Sequence, residues 1–327
     1  MPIADCRKLP GPRIVRWAVA AALLLVLIAF IRRLDSPEAR YQYYPEYYEA
    51  IFGMAGTVDV VALGPSGMLT LFNANQFAEV LTQRVGRNVV VLDLSKSWPG
   101  VCTDYIIARD LISQVPVRHI LVQYRSHIAL EHPRFHELAT FLDIVDSSFS
   151  METLTFSEHL HRTFELWIRK IVDHSVLILS GRYRSLEVRA RRPAVTQDLT
   201  PTPNPVRPDL IRDWADRHAA TWEDKPGHRW SLTAALDSRN RFCYRKLVEL
   251  ARASGSKVTF VDAPMLFRPE IDGAFAHEVT DTFGADYVYL THEELRPLYP
   301  RGFADLGHMN AYGQAYQTGK LAQKITP

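Results

Sequence analysis

The sequence predicts an α/β three-layer sandwich built on a mostly parallel central sheet of about five strands, and three observations lead there. Runs rich in β-branched residues alternate with helix-like stretches from residue 57 to about 135, the alternation breaks, and it resumes from about 232 to the C-terminus. Such a βαβαβ order implies parallel strands covered by helices on both faces. The 327 residues, 47% of them hydrophobic, have room for one substantial core plus an elaboration.

The first element is apolar. Trp17 to Ile31 is an unbroken apolar run between Arg16 and Arg32, and a bilayer core takes roughly 20 residues, with about 17 tolerated. The flanking arginines can carry their charges to the headgroups. No small-residue cleavage site follows; Arg32-Arg33-Leu34-Asp35 comes instead. The expectation is a cytoplasmic tail over 1–13, an uncleaved transmembrane helix over 14–33, and a juxtamembrane segment over 34–56. Positive charge is slightly denser before the helix (Arg7, Lys8, Arg13, Arg16) than after it (Arg32, Arg33, Arg40), which places the domain over 57–327 across the membrane. In a bacterium that means a single-pass protein of the inner membrane with a periplasmic or extracellular domain. The tyrosines Tyr41, Tyr43, Tyr44, Tyr47 and Tyr48 suit either an interfacial belt or packing on the domain.

Strand Thr57–Leu63 opens the sheet, followed by a helix near Ala74–Val85, strand Asn88–Leu94, a helix near Asp104–Ser113 and strand His119–Tyr124. Residues 136–231 read as an insertion outside the sheet. It is largely helical to about 185, then holds Pro193, Pro201, Pro203, Pro205, Pro208 and Pro226, too many for a continuous helix or a central strand. The pattern returns with a helix over about Leu232–Ser254, strand Lys257–Asp262, a helix near Glu270–Phe283 and strand Asp286–Leu290. Tyr312, Ala315, Tyr316, Gly319, Ala322 and Ile325 recur at helical intervals in a last amphipathic helix that Asn310 caps.

Charge excludes little by itself: 38 Lys and Arg against 36 Asp and Glu leave +2, with no global pull toward nucleic acid. Of the three cysteines, Cys6 precedes the apolar run, so only Cys102 and Cys243 are available to pair. Both fall in helices, where a buried thiol is the commoner role.

Two short segments carry the chemistry. Gly64-Pro65-Ser66-Gly67 follows the first strand, and Asp305-Leu306-Gly307-His308 precedes the last helix. In an open parallel sheet, ligands bind beyond the carboxyl ends of the strands where strand order reverses, the place Ser66 occupies. A hydroxyl becomes a useful nucleophile when a base takes its proton and a third group orients the base. Ser66, His308 and Asp305 fit those roles, and the glycines beside Ser66 leave amide N–H groups free to meet a developing oxyanion. The strand–Gly-x-Ser turn is not an α/β-hydrolase elbow, because position 68 is Met and the acid and histidine lie three residues apart.

This order and spacing resemble the SGNH or GDSL hydrolase superfamily, whose serine follows the first strand and whose Asp-x-x-His motif precedes the last helix. The resemblance covers about 57–135 and 232–327 and implies a flavodoxin-like SGNH fold. It makes Ser66 the nucleophile, His308 the general base and Asp305 its orienter, with oxyanion donors from Ser66 and Gly100. The superfamily's asparagine after the third strand is missing; Gln123-Tyr124-Arg125-Ser126-His127 stands there, offering Arg125, Ser126 or Gln123 as substitutes. An apolar N-terminal helix on such a domain also resembles the membrane-linked polysaccharide O-acetylation proteins of the alginate type and the D-alanyl transfer proteins of teichoic acid. That implies an esterase or O-acyltransferase acting on cell-envelope polysaccharide, with an integral membrane acyltransferase as partner, and no metal or organic cofactor. The alternative from another class is a noncatalytic scaffold or glycan-binding subunit, which the missing asparagine favours.

Other motifs read more plainly. His127, His132 and His136, with Glu131 and Glu137, fit no zinc spacing and suit a solvated loop. Trp167, Trp214, Trp222 and Trp230 suit helix packing ahead of a sugar platform. Arg189, Arg191 and Arg192 suit a solvated basic stretch.

Overall fold

The computed structural model describes residues 12–96, 100–125, 134–152, 154–188, 191–198, 238–264, 273–299, 301–305 and 308–326. Its centre is a parallel sheet. The strands in chain order are β1 (Met54–Ala55), β2 (Val58–Leu63), β3 (Val91–Asp93), β4 (Val117–Gln123), β5 (Arg192–Pro193), β6 (Gln197–Asp198), β7 (Lys257–Val261) and β8 (Asp286–Val288). The main sheet runs β6-β3-β2-β4-β7-β8, and every pairing in it is parallel. β2 is its pivot. The chain leaves β2 for β3 on one side and crosses back to β4 on the other, so strand order reverses at the carboxyl end of β2.

β2 is buried along its whole length, as a strand covered on both faces must be. Its alternation divides two cores: Val61 and Leu63 face one, Val60 and Ala62 the other. The first core lies under helices α3 (Pro45–Phe52), α6 (Val101–Ile112), α10 (Ser238–Ala253) and α11 (Gly273–Phe283). The second lies under α4 (Ser66–Leu71), α5 (Ala74–Val85) and the C-terminal helix α13 (Ala311–Lys324), which follows the short α12 (His292–Leu295). Tyr41, Tyr44, Tyr47 and Tyr48 are buried in the first core, so the aromatic cluster is packing. Asn310 caps α13 as expected, accepting from Gly313 N at 3.0 Å.

Between β4 and α10 the chain forms α7 (Phe135–Leu138), α8 (Phe141–Phe149) and α9 (Phe156–Leu179). Both longer helices start with capping boxes, Thr140/Asp143 and Thr155/Glu158. The expectation that 136–231 stays out of the sheet is corrected at 192–198. β5 pairs with β1, and β6 extends the main sheet beyond β3. The physical reason is the edge of β3, whose backbone would otherwise be unpaired. Thr196 Oγ1 accepts from Val91 N at 3.2 Å and donates to Val89 O at 3.3 Å, and Pro193 is tolerated in a marginal strand.

Cys102 and Cys243 form a disulfide between α6 and α10, with Cα atoms 5.0 Å apart, which corrects the expectation of two buried thiols. The two helices pack side by side over the same sheet face, a proximity that spacing along the chain does not reveal.

At the N-terminus α1 (Pro12–Leu34) is a single helix, and every residue from Val19 to Ala29 is exposed. Among the described residues no helix is long and apolar enough to cross a membrane. The unbroken run from Trp17 to Ile31 is fifteen residues, against the roughly 20 of a full span. The expected transmembrane helix over 14–33 therefore gains no support from the fold itself. α1 ends at α2 (Pro37–Arg40), which leads into the buried tyrosines.

Candidate active site

The loop after β2 is shaped by Gly64, whose φ is +154°. A Cβ there would lie 2.7 Å from Met68 Cβ and 3.0 Å from Gln123 Cβ, so only glycine fits the turn. Pro65 then sets the entry to α4, with Ser66 as its first residue. As the opening residues of a helix, Ser66 and Gly67 have N–H groups with no carbonyl one turn back to receive them. The loop after β3 lies against this turn, with Leu94 N donating to Ala62 O at 2.9 Å and Lys96 N to Gly64 O at 3.0 Å.

The residues on either side of the second segment close on one another. Phe303 and Met309 bridge antiparallel, Ala304 N donates to His308 O at 2.8 Å, and Asn310 N donates to Gly302 O at 3.0 Å. Phe303 and Met309 are buried with Leu298, fixing the loop from below. Gly313 lets α13 press against it: a Cβ at 313 would stand 2.0 Å from Gly302 O.

These segments meet. His308 Nε2 lies 2.8 Å from Ser66 Oγ across 242 positions of sequence. His308 Nδ1 lies 2.9 and 3.0 Å from the two Asp305 carboxylate oxygens, and His308 N donates to Asp305 Oδ1 at 2.9 Å. An ionised carboxylate only accepts, so Nδ1 carries the proton and Nε2 presents its lone pair to the Ser66 hydroxyl. That is the arrangement needed to withdraw a proton from Ser66 as Oγ forms a new bond. Ser66, Asp305 and His308 are all partly exposed, so a ligand can reach them.

Contacts that the sequence did not announce hold the two halves in register. Thr70 Oγ1 sits 3.2 Å from Ser66 O and 3.3 Å from Gly67 O and accepts from Met309 N at 3.3 Å, tying the serine turn to the residue after His308. Gln314 Nε2 donates to Leu69 O and Phe72 O, and Thr318 Oγ1 donates to Leu71 O and accepts from Asn73 N. Thr70 lies one helical turn after Ser66, which is the only sequence signal for it.

The expected oxyanion donors fall out as follows. Gly100 is buried and opens α6 beyond β3. Arg125 pairs its guanidinium with Asp104 of α6, and its backbone N–H donates to Tyr244 Oη at 2.9 Å. Ser126 lies outside the described residues. Gln123, at the end of β4, is buried with its carboxamide against Gly67, 2.9 Å from where a Cβ would stand, and Oε1 has no hydrogen-bond partner. Of the two substitutes that lie among the described residues, Gln123 is the one whose polar atoms the structure places beside the serine turn.

The remaining motifs resolve differently. His136 and Glu137 are buried, not solvated, because α7 packs on α9; His136 Nε2 lies 2.7 Å from Asp173 Oδ2, and Arg134 lies 3.6 Å from Glu137. Burial pushes the Glu137 carboxyl up to about 7. Ligand atoms of His136, Glu137 and Asp173 come within 4.8 Å of one another. Trp167 donates to Phe141 O at 3.1 Å and packs edge-on against the Phe141 ring, as helix packing predicts. Arg191 and Arg192 are exposed, reaching Gln114 and Glu49. His127, Glu131, His132, Arg189, Trp214, Trp222 and Trp230 lie outside the described residues. A cleft of about 670 Å³ opens between α3 and residues 185–197, and no residue of the serine site lines it.

No protein-family model matches the chain, and no curated protein matches it.

Proposed function

We propose that this chain is a membrane-anchored, extracytoplasmic serine esterase or O-acyltransferase of the SGNH type, acting on O-acyl groups of cell-envelope polysaccharide. The observation that carries the reading is the 2.8 Å approach of Ser66 Oγ to His308 Nε2, with Asp305 on the opposite ring nitrogen. The central strand order β3-β2-β4-β7-β8, with the serine at the switch point, supports the SGNH-like fold. The disulfide supports an oxidising compartment, and the apolar run of sequence from Trp17 to Ile31 between Arg16 and Arg32 is what supports a single-pass anchor.

In this mechanism Ser66 Oγ attacks an ester carbonyl carbon while His308 Nε2 takes the hydroxyl proton. Asp305 steadies the imidazolium. The oxyanion is met by the N–H groups of Ser66 and Gly100 and by the Gln123 carboxamide, which replaces the asparagine of the superfamily. Collapse of the tetrahedral intermediate breaks the ester bond, His308 returns its proton to the leaving oxygen, and an acyl-Ser66 ester remains. A sugar hydroxyl or water, deprotonated by His308, then takes the acyl group and frees Ser66. No step calls for a metal or an organic cofactor. Where transfer is the outcome, an integral membrane acyltransferase is the partner that would supply the acyl group.

A fluorophosphonate probe on the purified full chain tests this reading. The expected result is covalent labelling of one serine that disappears in Ser66→Ala. A folded wild-type chain that takes no label would overturn it and favour the noncatalytic scaffold or glycan-binding subunit.

A further inference from the structure

α9 is apolar on a side that none of the described residues covers. Its inward face is set by His159, Thr163, Lys170 and His174, all buried. Leu160, Phe164, Ile168, Val172 and Leu179 look outward, each between 44% and 86% exposed. At about 100° per residue these five span roughly 120° of the helix surface, a stripe as wide as the one that normally faces a core. Monomers rarely leave so long an apolar surface bare without a use for it.

The position of this stripe identifies what covers it. α1 leaves the domain at Leu34, and Asp35 is fastened there: its carboxylate accepts from Phe141 N at 3.1 and 3.2 Å and lies 3.7 Å from Lys170 Nζ in the middle of α9. His174 Nε2 reaches Ala39 O at 2.9 Å, and Gln42 exchanges two 2.7 Å hydrogen bonds with the backbone of Arg184. The root of α1 is thus packed along the second half of α9. Leu142, next to Phe141, is itself 75% exposed. Leu142 and the stripe thus belong to the same two helices, α8 and α9, that hold the root of α1. Around the same root stand the exposed cations Arg32, Arg33, Arg182 and Arg184, the charge that anionic headgroups attract. Along the stripe's flank, Glu165 and Arg169 neutralise each other at 2.6 Å.

We propose that the outward face of α9, with Leu142, is a lipid-contact surface that lies in the headgroup region of an anionic bilayer beside α1. The assignment rests on the anchored reading above and deepens it, because it fixes the face that the domain turns to the membrane. The helix is then an interfacial element, embedded on one side and packed against its own domain on the other.

The test uses the full chain with Cys6→Ser, reconstituted in vesicles of phosphatidylcholine and phosphatidylglycerol. An environment-sensitive fluorophore is placed singly at Phe164→Cys, at Val172→Cys or at Leu24→Cys, and nitroxide lipids serve as quenchers. Headgroup-level nitroxides should quench both α9 sites more strongly than acyl-tail nitroxides do, the reverse should hold at Leu24→Cys, and quenching on α9 should fall in vesicles lacking phosphatidylglycerol. Quenching at Leu24→Cys with none at either α9 site overturns the inference and leaves the anchor intact. No quenching at any site overturns both. Blue-shifted emission at the α9 sites without quenching means that protein, a second copy or another segment of this chain, covers the face, and overturns the inference.

Discussion

At residue scale the proposed chemistry rests on which ring nitrogen of His308 holds the proton. Asp305 bonds to Nδ1 through both carboxylate oxygens, so Asp305→Asn would offer a donor where an acceptor is needed and favour the wrong tautomer. Labelling by the fluorophosphonate should slow by about 10⁴-fold while the fold survives; a variant labelled at the wild-type rate would mean that Asp305 does not orient the base. Ser66, Asp305 and His308 were legible in the sequence because each sits in a short pattern beside a strand or a helix. Thr70 was not, and Gln123 stood only as one of three substitutes for the missing asparagine. Their importance comes from contacts with Met309 and Gly67 that only the folded chain creates, and a lone threonine or glutamine carries no pattern.

At the scale of elements, the site depends on how closely α13 approaches the loop that carries His308. Gly313 has no room for a side chain, its missing Cβ being 2.0 Å from the Gly302 carbonyl oxygen. Gly313→Ala must push loop and helix apart. It should destabilise the protein by roughly 1–3 kcal/mol, read from the urea midpoint, and slow labelling of Ser66 as well. Unchanged labelling with unchanged stability would show that the loop yields freely. The five principal strands were legible from their β-branched runs, since both faces of a parallel sheet are buried and the signal is continuous. β6 was not. Two residues, Gln197 and Asp198, have no periodicity to detect, and they pair because β3 has an open edge. The disulfide was hidden for a related reason: helix–helix adjacency is set by sheet order, which local sequence does not encode.

At the scale of the whole molecule, two buried groups give opposing pH dependences. Burial, helped by the Lys257 charge, holds His119 down to about 4 from an ordinary 6.5. The unfolded chain therefore takes up a proton that the folded one refuses: the stability contributed is complete above about pH 6.5 and is lost as pH falls toward 4. Glu137, raised by burial to about 7 from 4.5, works the other way, the folded state binding the proton first and gaining stability as pH falls through 7 toward 4.5. Comparing His119→Gln with wild type isolates the first effect. Between pH 7 and pH 4 the stability difference should move in the variant's favour by about 3 kcal/mol, measured by urea unfolding at each pH; a constant difference would mean that His119 titrates normally. The disulfide acts at the same scale, closing a loop across 141 positions of sequence. Cys102→Ser with Cys243→Ser should lower stability by about 2–5 kcal/mol, and an unshifted urea midpoint would show that the bond contributes nothing.

That bond joins the serine-bearing part of the chain to the histidine-bearing part around everything between positions 102 and 243. A protease that severs the backbone at any single point within that interval yields two fragments that still travel as one on a non-reducing gel. Only a thiol lets them part, so nicked and intact protein are told apart by reductant alone.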